Sequence, residues 1–155
     1  MIEVPVPGAS LRIEHVVLDV NGTIAVDGVL LPGVAGRMAE LKERVHVLGV
    51  TAATHGPIRA LADELGIEME TLQAGAEAER KLSAVRALGA ESVAAIGNGA
   101  NDRLMLEACA LGIAVLGREG TSVEAVLAAK VLAPDIATAL DLLLVPQRLV
   151  ATLRR

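Results

Sequence analysis

Short runs of β-branched apolar residues alternate along the chain with longer stretches in which leucine, valine and alanine recur at three- and four-residue spacing. The runs predict strands, and the spaced stretches predict helices with one buried face. Several runs are apolar at consecutive positions, which is typical of parallel strands that are covered on both faces. The predicted strands are 16–20, 45–50, 68–72, 93–97, 113–116 and 130–132. The predicted helices are 34–44, 57–65, 76–88, 102–111 and 122–128.

This alternation predicts a three-layer α/β fold, with a doubly wound, Rossmann-like parallel sheet between two layers of helices. Segment 1–14 carries prolines and a glycine and is predicted to form an irregular, hairpin-like extension, whereas 146–155 is predicted to form a short C-terminal helix. No linker, low-complexity tract or internal repeat interrupts the sequence. The 155 residues therefore predict a single domain spanning 1–155.

The composition narrows the classes of partner. Phe, Tyr and Trp are all absent, which indicates either an unusual compositional bias or an engineered residue alphabet. The chain therefore lacks aromatic platforms for stacking single-stranded nucleic acid, and its net charge of -5 disfavours nucleic acid or an anionic membrane as a partner. One cysteine, no signal-peptide pattern and no apolar run near the roughly 18 residues of a membrane span favour a cytoplasmic protein.

Polar residues follow several predicted strands at the same edge of the sheet. Asp19 ends the first core strand, Thr51 follows the second, and Asp102 comes after strand 93–97. Ligands of such sheets bind beyond the carboxyl ends of the strands, and Lys81 on the preceding helix supplies a cation there. A turn-capping carboxylate is one explanation of Asp19. The other is a nucleophile that attacks phosphorus and becomes an aspartyl phosphate.

Four motifs, in order, resemble those of the haloacid dehalogenase superfamily. They are Asp19-Val20-Asn21-Gly22-Thr23 for the usual Asp-x-Asp-Gly-Thr, Thr51 for the second motif, Lys81 for the third, and Gly97-Asn98-Gly99-Ala100-Asn101-Asp102 for the fourth. The resemblance runs from about residue 14 to residue 135 and is to the small, soluble, P-type-ATPase-like phosphatase branch. It implies a Mg²⁺-dependent phosphomonoesterase that acts through an aspartyl phosphate on Asp19.

The resemblance also implies a role for each motif position. The implied catalytic residues are Asp19, Asn21, Thr51 and Lys81. Those implied for the phosphoryl group are Gly22 through its backbone N–H, Thr51, Ala52 and Lys81. Those implied for Mg²⁺ are Asp19, the backbone carbonyl of Asn21, Asp102 and Asn98. Phosphoryl transfer depends on such positioning and charge neutralisation, and a sparse protein ligand set suits Mg²⁺.

Asn21 departs from the superfamily pattern, because phosphatases normally carry the acid/base Asp at this position. An amide cannot transfer a proton, so leaving-group protonation and water activation are both expected to suffer and turnover to be slow. The alternative function is therefore a catalytically weak or inactive scaffold domain that binds phosphate and Mg²⁺. A receiver domain that accepts a phosphoryl group for signalling shares the sheet class, but the 97–102 motif and the spacing of Asp19 and Asn21 argue against it.

The intervals between the motifs are too short for a cap domain. Residues 20–50 have room for a hairpin turning at Asp27-Gly28 and for one helix. An open site suits a phosphorylated macromolecule or small molecule, and a second copy of the chain in a homo-oligomer is a candidate cover. The apolar positions 142–145 and 149–150 are candidates for that contact, and core packing explains them equally well.

Overall fold

Ten strands and seven helices form the fold in the residues that the computed structural model describes, 1–52 and 56–154. The strands are β1 (Ile2–Val6), β2 (Ala9–Ile13), β3 (His15–Asp19), β4 (Ala25–Val26), β5 (Val29–Leu30), β6 (His46–Thr51), β7 (Glu68–Thr71), β8 (Val93–Gly97), β9 (Leu111–Val115) and β10 (Val131–Ala133). The helices are α1 (Val34–Leu41), α2 (Gly56–Leu65), α3 (Glu77–Ala87), α4 (Arg103–Ala108), α5 (Val123–Ala128), α6 (Ile136–Leu144) and α7 (Pro146–Leu153).

Six parallel strands form the central sheet, in the order β10-β9-β8-β3-β6-β7. The chain winds outward from β3 through β6 to β7, returns to the other side of β3 with β8, and continues to β10. This reversal brings the carboxyl ends of β3 and β8 together, which is where open α/β sheets bind ligands. The predicted Rossmann-like α/β fold is confirmed.

Helices cover both faces of the sheet, as the consecutive apolar residues of β3 predict. Val16 and Leu18 are buried in the larger of two apolar clusters, and Val17 is buried in the smaller one. Since successive side chains of a strand point to opposite faces, the two clusters lie on the two sides of the sheet. Aliphatic side chains and methionines such as Met38 and Met105 fill this core in the absence of aromatic residues.

The N-terminal extension is a hairpin, as predicted, but a regular one. Strands β1 and β2 pair antiparallel, from Ile2 opposite Ile13 to Val6 opposite Ala9. Ile2 and Ile13 are buried in the larger cluster, so the hairpin shares the core of the sheet. The second predicted hairpin is also confirmed, because β4 and β5 pair antiparallel around a turn at Asp27-Gly28, both with positive φ. Between β3 and β6 the chain otherwise forms only α1.

Several sequence-based boundaries were wrong by two or three residues, since α1 ends at Leu41 and not at 44, and β9 begins at Leu111 and not at 113. The predicted helix 102–111 is shorter in the structure, where a 3₁₀ turn at Ala100–Asp102 precedes α4 and where β9 already begins at Leu111. The reason is a close approach of strand and helix, since a Cβ at Gly112 would overlap the backbone of Leu106. Leu111 and Gly112 therefore belong to strand β9 and not to the helix.

Helix α6 was not predicted, because its apolar residues were considered for a contact between copies. Leu143 and, on α7, Leu149 are fully buried in the larger cluster, so core packing accounts for them. Among residues 1–52 and 56–154, no single helix is long and apolar enough to span a membrane. The α6–α7 pair meets these criteria of length and composition only when its two helices are counted together, and the pair is bent by 100°.

Candidate active site

The carboxyl end of β3 meets α3 and the β8–α4 loop at a buried ion-pair triad of Asp19, Lys81 and Asp102. The Lys81 Nζ donates to Asp19 Oδ1 and to Asp102 Oδ1, each at 2.6 Å. Lys81 is 1% exposed, Asp102 is fully buried, and Asp19 is 8% exposed at the floor of a cleft. The tertiary structure therefore brings together three of the residues that the motifs predict, from elements far apart in sequence.

This triad has an excess of negatively charged groups, because one ammonium group lies between two carboxylates. Burial and repulsion by Asp102 raise the pKa of Asp19 from its ordinary 3.8 to about 6, although Lys81 and Thr23 act in the opposite direction. Burial alone would lower the pKa of Lys81, but the charges of Asp19 and Asp102 outweigh it and hold that pKa above its ordinary value. Lys81 therefore stays protonated, and the excess negative charge favours a cation at this site.

The glycines of the 97–102 motif let the β8–α4 loop wrap around Asp102. The backbone N–H groups of Asn98 and Gly99 donate to Asp102 Oδ2 at 3.0 and 2.9 Å. A Cβ at Gly97 would overlap this carboxylate, so the close approach requires glycine. Asp102 is thereby fixed through both of its oxygens.

Thr23, the last residue of the first motif, was not among the predicted site residues. Its hydroxyl lies 3.0 Å from Asp19 Oδ2 and 3.1 Å from Asn98 Oδ1, and these two acceptors share its single proton. Asn98 in turn donates from Nδ2 to the carbonyl of Gly120 at 3.0 Å. Both ends of the Asn98 side chain are thus hydrogen-bonded within the protein, and its predicted contact with Mg²⁺ stays a prediction.

Gly22 has a different role in the structure from the phosphate contact that the sequence predicts. Its N–H donates to the carbonyl of Ala25 at 2.8 Å and is therefore already engaged. Its φ of 81° suits glycine, and a Cβ there would lie 2.5 Å from Glu119 Oε2. The structural need for glycine is thus the turn and the approach of the neighbouring loop.

The triad opens into a cleft of about 610 Å³. The residues lining it are Asp19, Asn21, Thr51, Ala52, Lys81, Asn98, Gly99, Asn101, Glu119, Gly120, Thr121 and Ser122. Thr51, at the end of β6, is almost fully buried, whereas Asn21 and Ala52 are exposed to the cleft. Residues 53–55 of the second-motif loop lie outside the described residues.

The loop after β9, residues 116–122, forms the wall that sequence analysis missed. Glu119 and Thr121 line the cleft from this loop, but no motif marks them. In the sequence, the spacing of Gly117 and Gly120 indicates a turn, but it does not indicate which strand end the loop faces. Packing alone places the loop, because Asn98 bonds both to Gly120 of this loop and to Thr23, whose hydroxyl contacts Asp19.

A sequence model of the haloacid dehalogenase-like hydrolases matches residues 6–110. The chain belongs to this family. A protein of Methanocaldococcus jannaschii whose function is uncharacterized is 43% identical to this haloacid dehalogenase-like hydrolase over 84 residues, which cover 52% of this chain and 90% of that protein.

Solved structures share the fold of this haloacid dehalogenase-like hydrolase. The cobalt-bound deoxy-D-mannose-octulosonate 8-phosphate phosphatase of Haemophilus influenzae matches with a TM-score of 0.72 at 17% identity, covering 90% of this chain and 92% of that chain. The 3-deoxy-D-manno-octulosonate 8-phosphate phosphatase of Moraxella catarrhalis, in complex with magnesium, phosphate and KDO, matches with a TM-score of 0.73 at 15% identity, covering 91% of each chain. At these low identities, the TM-scores establish a common fold.

A zinc-transporting P-type ATPase in its E2·Pi state is also similar, with a TM-score of 0.61 at 29% identity. It covers 79% of this chain but only 20% of the much longer ATPase chain. The similarity to that transporter thus concerns one fifth of its chain.

Proposed function

We propose that this haloacid dehalogenase-like hydrolase is a Mg²⁺-dependent phosphomonoesterase that forms an aspartyl phosphate on Asp19. The observation that carries the proposal is the triad, in which a buried carboxylate at the cleft floor is held by Lys81 and Asp102. Two structural neighbours are phosphatases, which supports the same reaction class.

The donor chemistry at the triad fits Mg²⁺. Asp19 and Asp102 are buried carboxylates held 2.6 Å from the same Nζ, and they offer the hard oxygen ligands that Mg²⁺ prefers. The residues that would hold the ion are Asp19, Asp102 and the backbone carbonyl of Asn21, with Asn98 close by. When bound, Mg²⁺ supplies positive charge that offsets the carboxylates and the phosphoryl oxygens.

The chain's own residues then divide the reaction into two displacements. Asp19 Oδ attacks phosphorus, the bond from phosphorus to the alcohol oxygen breaks, and the alcohol leaves with a proton. Water then attacks the phosphorus of the aspartyl phosphate, loses a proton, and releases inorganic phosphate and free Asp19. Lys81 offsets the charge of both carboxylates, and the Thr51 hydroxyl orients a phosphoryl oxygen.

An open cleft suits a phosphorylated small molecule or a phosphorylated macromolecule. In the described residues, 20–45 contain only the β4–β5 hairpin and α1, and 56–76 contain only α2 and β7, so neither interval holds a cap domain. A second copy of the chain as cover stays a prediction.

The test is phosphate release from p-nitrophenyl phosphate and ethyl phosphate by wild type, Asp19→Asn and Asp27→Asn, with Mg²⁺ or with EDTA. Asp27 is an exposed turn residue with φ of 52°, which Asn tolerates, so its variant is the matched control. We expect Mg²⁺-dependent release that only Asp19→Asn abolishes, and a hydroxylamine-labile phosphoryl group on acid-quenched wild type. Wild-type activity in Asp19→Asn would refute the nucleophile, and Mg²⁺ binding with no release would favour the inactive scaffold.

A further inference from the structure

The cleft contains one ionisable group that the proposed reaction does not yet use. Among the described residues, the ionisable side chains that line it are Asp19, Lys81 and Glu119. Asp19 is the nucleophile, and Lys81 is held protonated by two carboxylates at 2.6 Å. Asn21 cannot transfer a proton, so of these side chains Glu119 alone is left to do so.

Glu119 lies directly beside the first motif. A Cβ added at Gly22 would be 2.5 Å from Glu119 Oε2, which places the carboxylate against the residue that follows Asn21. Within residues 1–52 and 56–154 its carboxylate takes part in no hydrogen bond or ion pair. Glu119 is also exposed to the cleft, so its oxygens are accessible to a substrate.

The loop that carries Glu119 is anchored on both sides of it. Gly120 N–H donates to Gly117 O at 3.1 Å, which closes a turn around Glu119. Gly120 O accepts from Asn98 Nδ2 at 3.0 Å, and Ser122 N–H donates to Asn98 O at 2.8 Å. Thr121 Oγ1 donates to Val115 O at 2.8 Å. These hydrogen bonds join the loop to the fourth motif and to the end of β9, so they fix the position of the backbone that carries Glu119.

We infer that Glu119 is the general acid and base of this site and takes the place of the carboxylate that Asn21 lacks. The inference rests on the proposed phosphomonoesterase reaction. In the first displacement the protonated Glu119 carboxyl gives its proton to the departing alcohol oxygen as the phosphorus–oxygen bond breaks. In the second, the Glu119 carboxylate takes a proton from the water whose oxygen attacks the aspartyl phosphate. Glu119 is then protonated again, and each turnover leaves its charge unchanged.

The test compares wild type, Glu119→Gln and Glu107→Gln on ethyl phosphate and p-nitrophenyl phosphate. Glu107 is exposed on α4 outside the cleft lining, so it is the matched control. For Glu119→Gln we expect kcat on ethyl phosphate to fall by about 10²-fold or more, because an alkoxide leaves poorly without a proton. On p-nitrophenyl phosphate we expect a burst of one nitrophenolate per enzyme followed by slow turnover, because nitrophenolate leaves unaided while hydrolysis of the aspartyl phosphate lacks its base.

A rescue experiment separates catalysis from a structural role. In the Glu119→Gln background, Asn21→Asp restores a carboxyl beside the nucleophile, and we expect turnover on ethyl phosphate to rise at least tenfold. A loss without burst and without rescue would overturn the inference in favour of a structural role. Wild-type kinetics in Glu119→Gln would overturn it while leaving the Asp19 proposal intact, and a wild type without Asp19-dependent hydrolysis would overturn both.

Discussion

Lys81 and Asp102 form a fully buried ion pair, with Nζ and Oδ1 2.6 Å apart, and the same Nζ contacts the candidate nucleophile Asp19. One side chain from α3 thus fixes the positions of two carboxylates, one at the carboxyl end of β3 and the other in the loop after β8. Because the pair is shielded from water, loss of either partner leaves an uncompensated buried charge, which costs far more free energy than breaking a surface ion pair does. This interdependence links stability to the chemistry of the site.

Removal of the Lys81 charge is expected to destabilise the fold strongly. Lys81→Met leaves two buried carboxylates without a cation, and breaking a buried pair costs about 3–5 kcal/mol. The measurement is urea unfolding at pH 7 in EDTA, with Lys130→Met as control because Lys130 is exposed. A loss no larger than that of the control would show that water or the backbone compensates the carboxylates.

Magnesium is expected to stabilise the wild type by binding to Asp19 and Asp102. A ligand at 100 times its Kd adds about 2.7 kcal/mol to the free energy of unfolding. We expect Mg²⁺ to raise the melting temperature of wild type and of Asp63→Asn, a surface control on α2, but not that of Asp102→Asn. An equal Mg²⁺ shift in Asp102→Asn would remove Asp102 from the ligand set.

The stability of the metal-free protein is expected to decrease as pH rises from about 4 to 7. Burial and the Asp102 charge raise the pKa of Asp19 from 3.8 to about 6, so the folded state holds a proton in an interval where the unfolded chain has released it. A difference of two pKa units corresponds to a free energy on the order of 3 kcal/mol. Above the folded pKa this penalty is complete, and below the unfolded pKa it is absent.

Asp19→Asn isolates this effect because it cannot ionise. In EDTA the variant should be nearly as stable as wild type at pH 4.5 and more stable at pH 7, as measured by urea unfolding at several pH values. A difference that does not change with pH would mean that Asp19 titrates normally in the folded protein.

Two glycine substitutions are expected to have opposite signs. Gly97→Ala places a methyl group onto the Asp102 carboxylate and should cost roughly 1–3 kcal/mol, as overpacking in well-packed interiors does. Gly36 lies within α1 with open space around its Cα, so Gly36→Ala should stabilise the protein by about 1 kcal/mol. Thermal unfolding of both variants provides the comparison, and a neutral Gly97→Ala would show that the 97–102 loop adapts easily.

The sequence by itself determined the fold class and most of the triad. Consecutive apolar residues in 16–18 can only be buried if both faces of a parallel sheet are covered, and strand order then places Asp19 and Asp102 at one edge. These are local patterns and motif residues, which require no knowledge of long-range packing. The same holds for the hairpin at Asp27-Gly28, because an Asp-Gly pair between apolar residues favours a tight hairpin turn.

Only the tertiary structure decided what surrounds the triad. The engagement of the Gly22 N–H by Ala25, the bridge of Thr23 to Asn98, and the position of Glu119 against Gly22 all depend on how separate loops pack. Helix α6 and the start of β9 were missed for the same reason, since an apolar run fits a helix, a strand or an interface equally well until its partner is known. Periodicity reports which face is buried, whereas three-dimensional packing determines the groups that it is buried against.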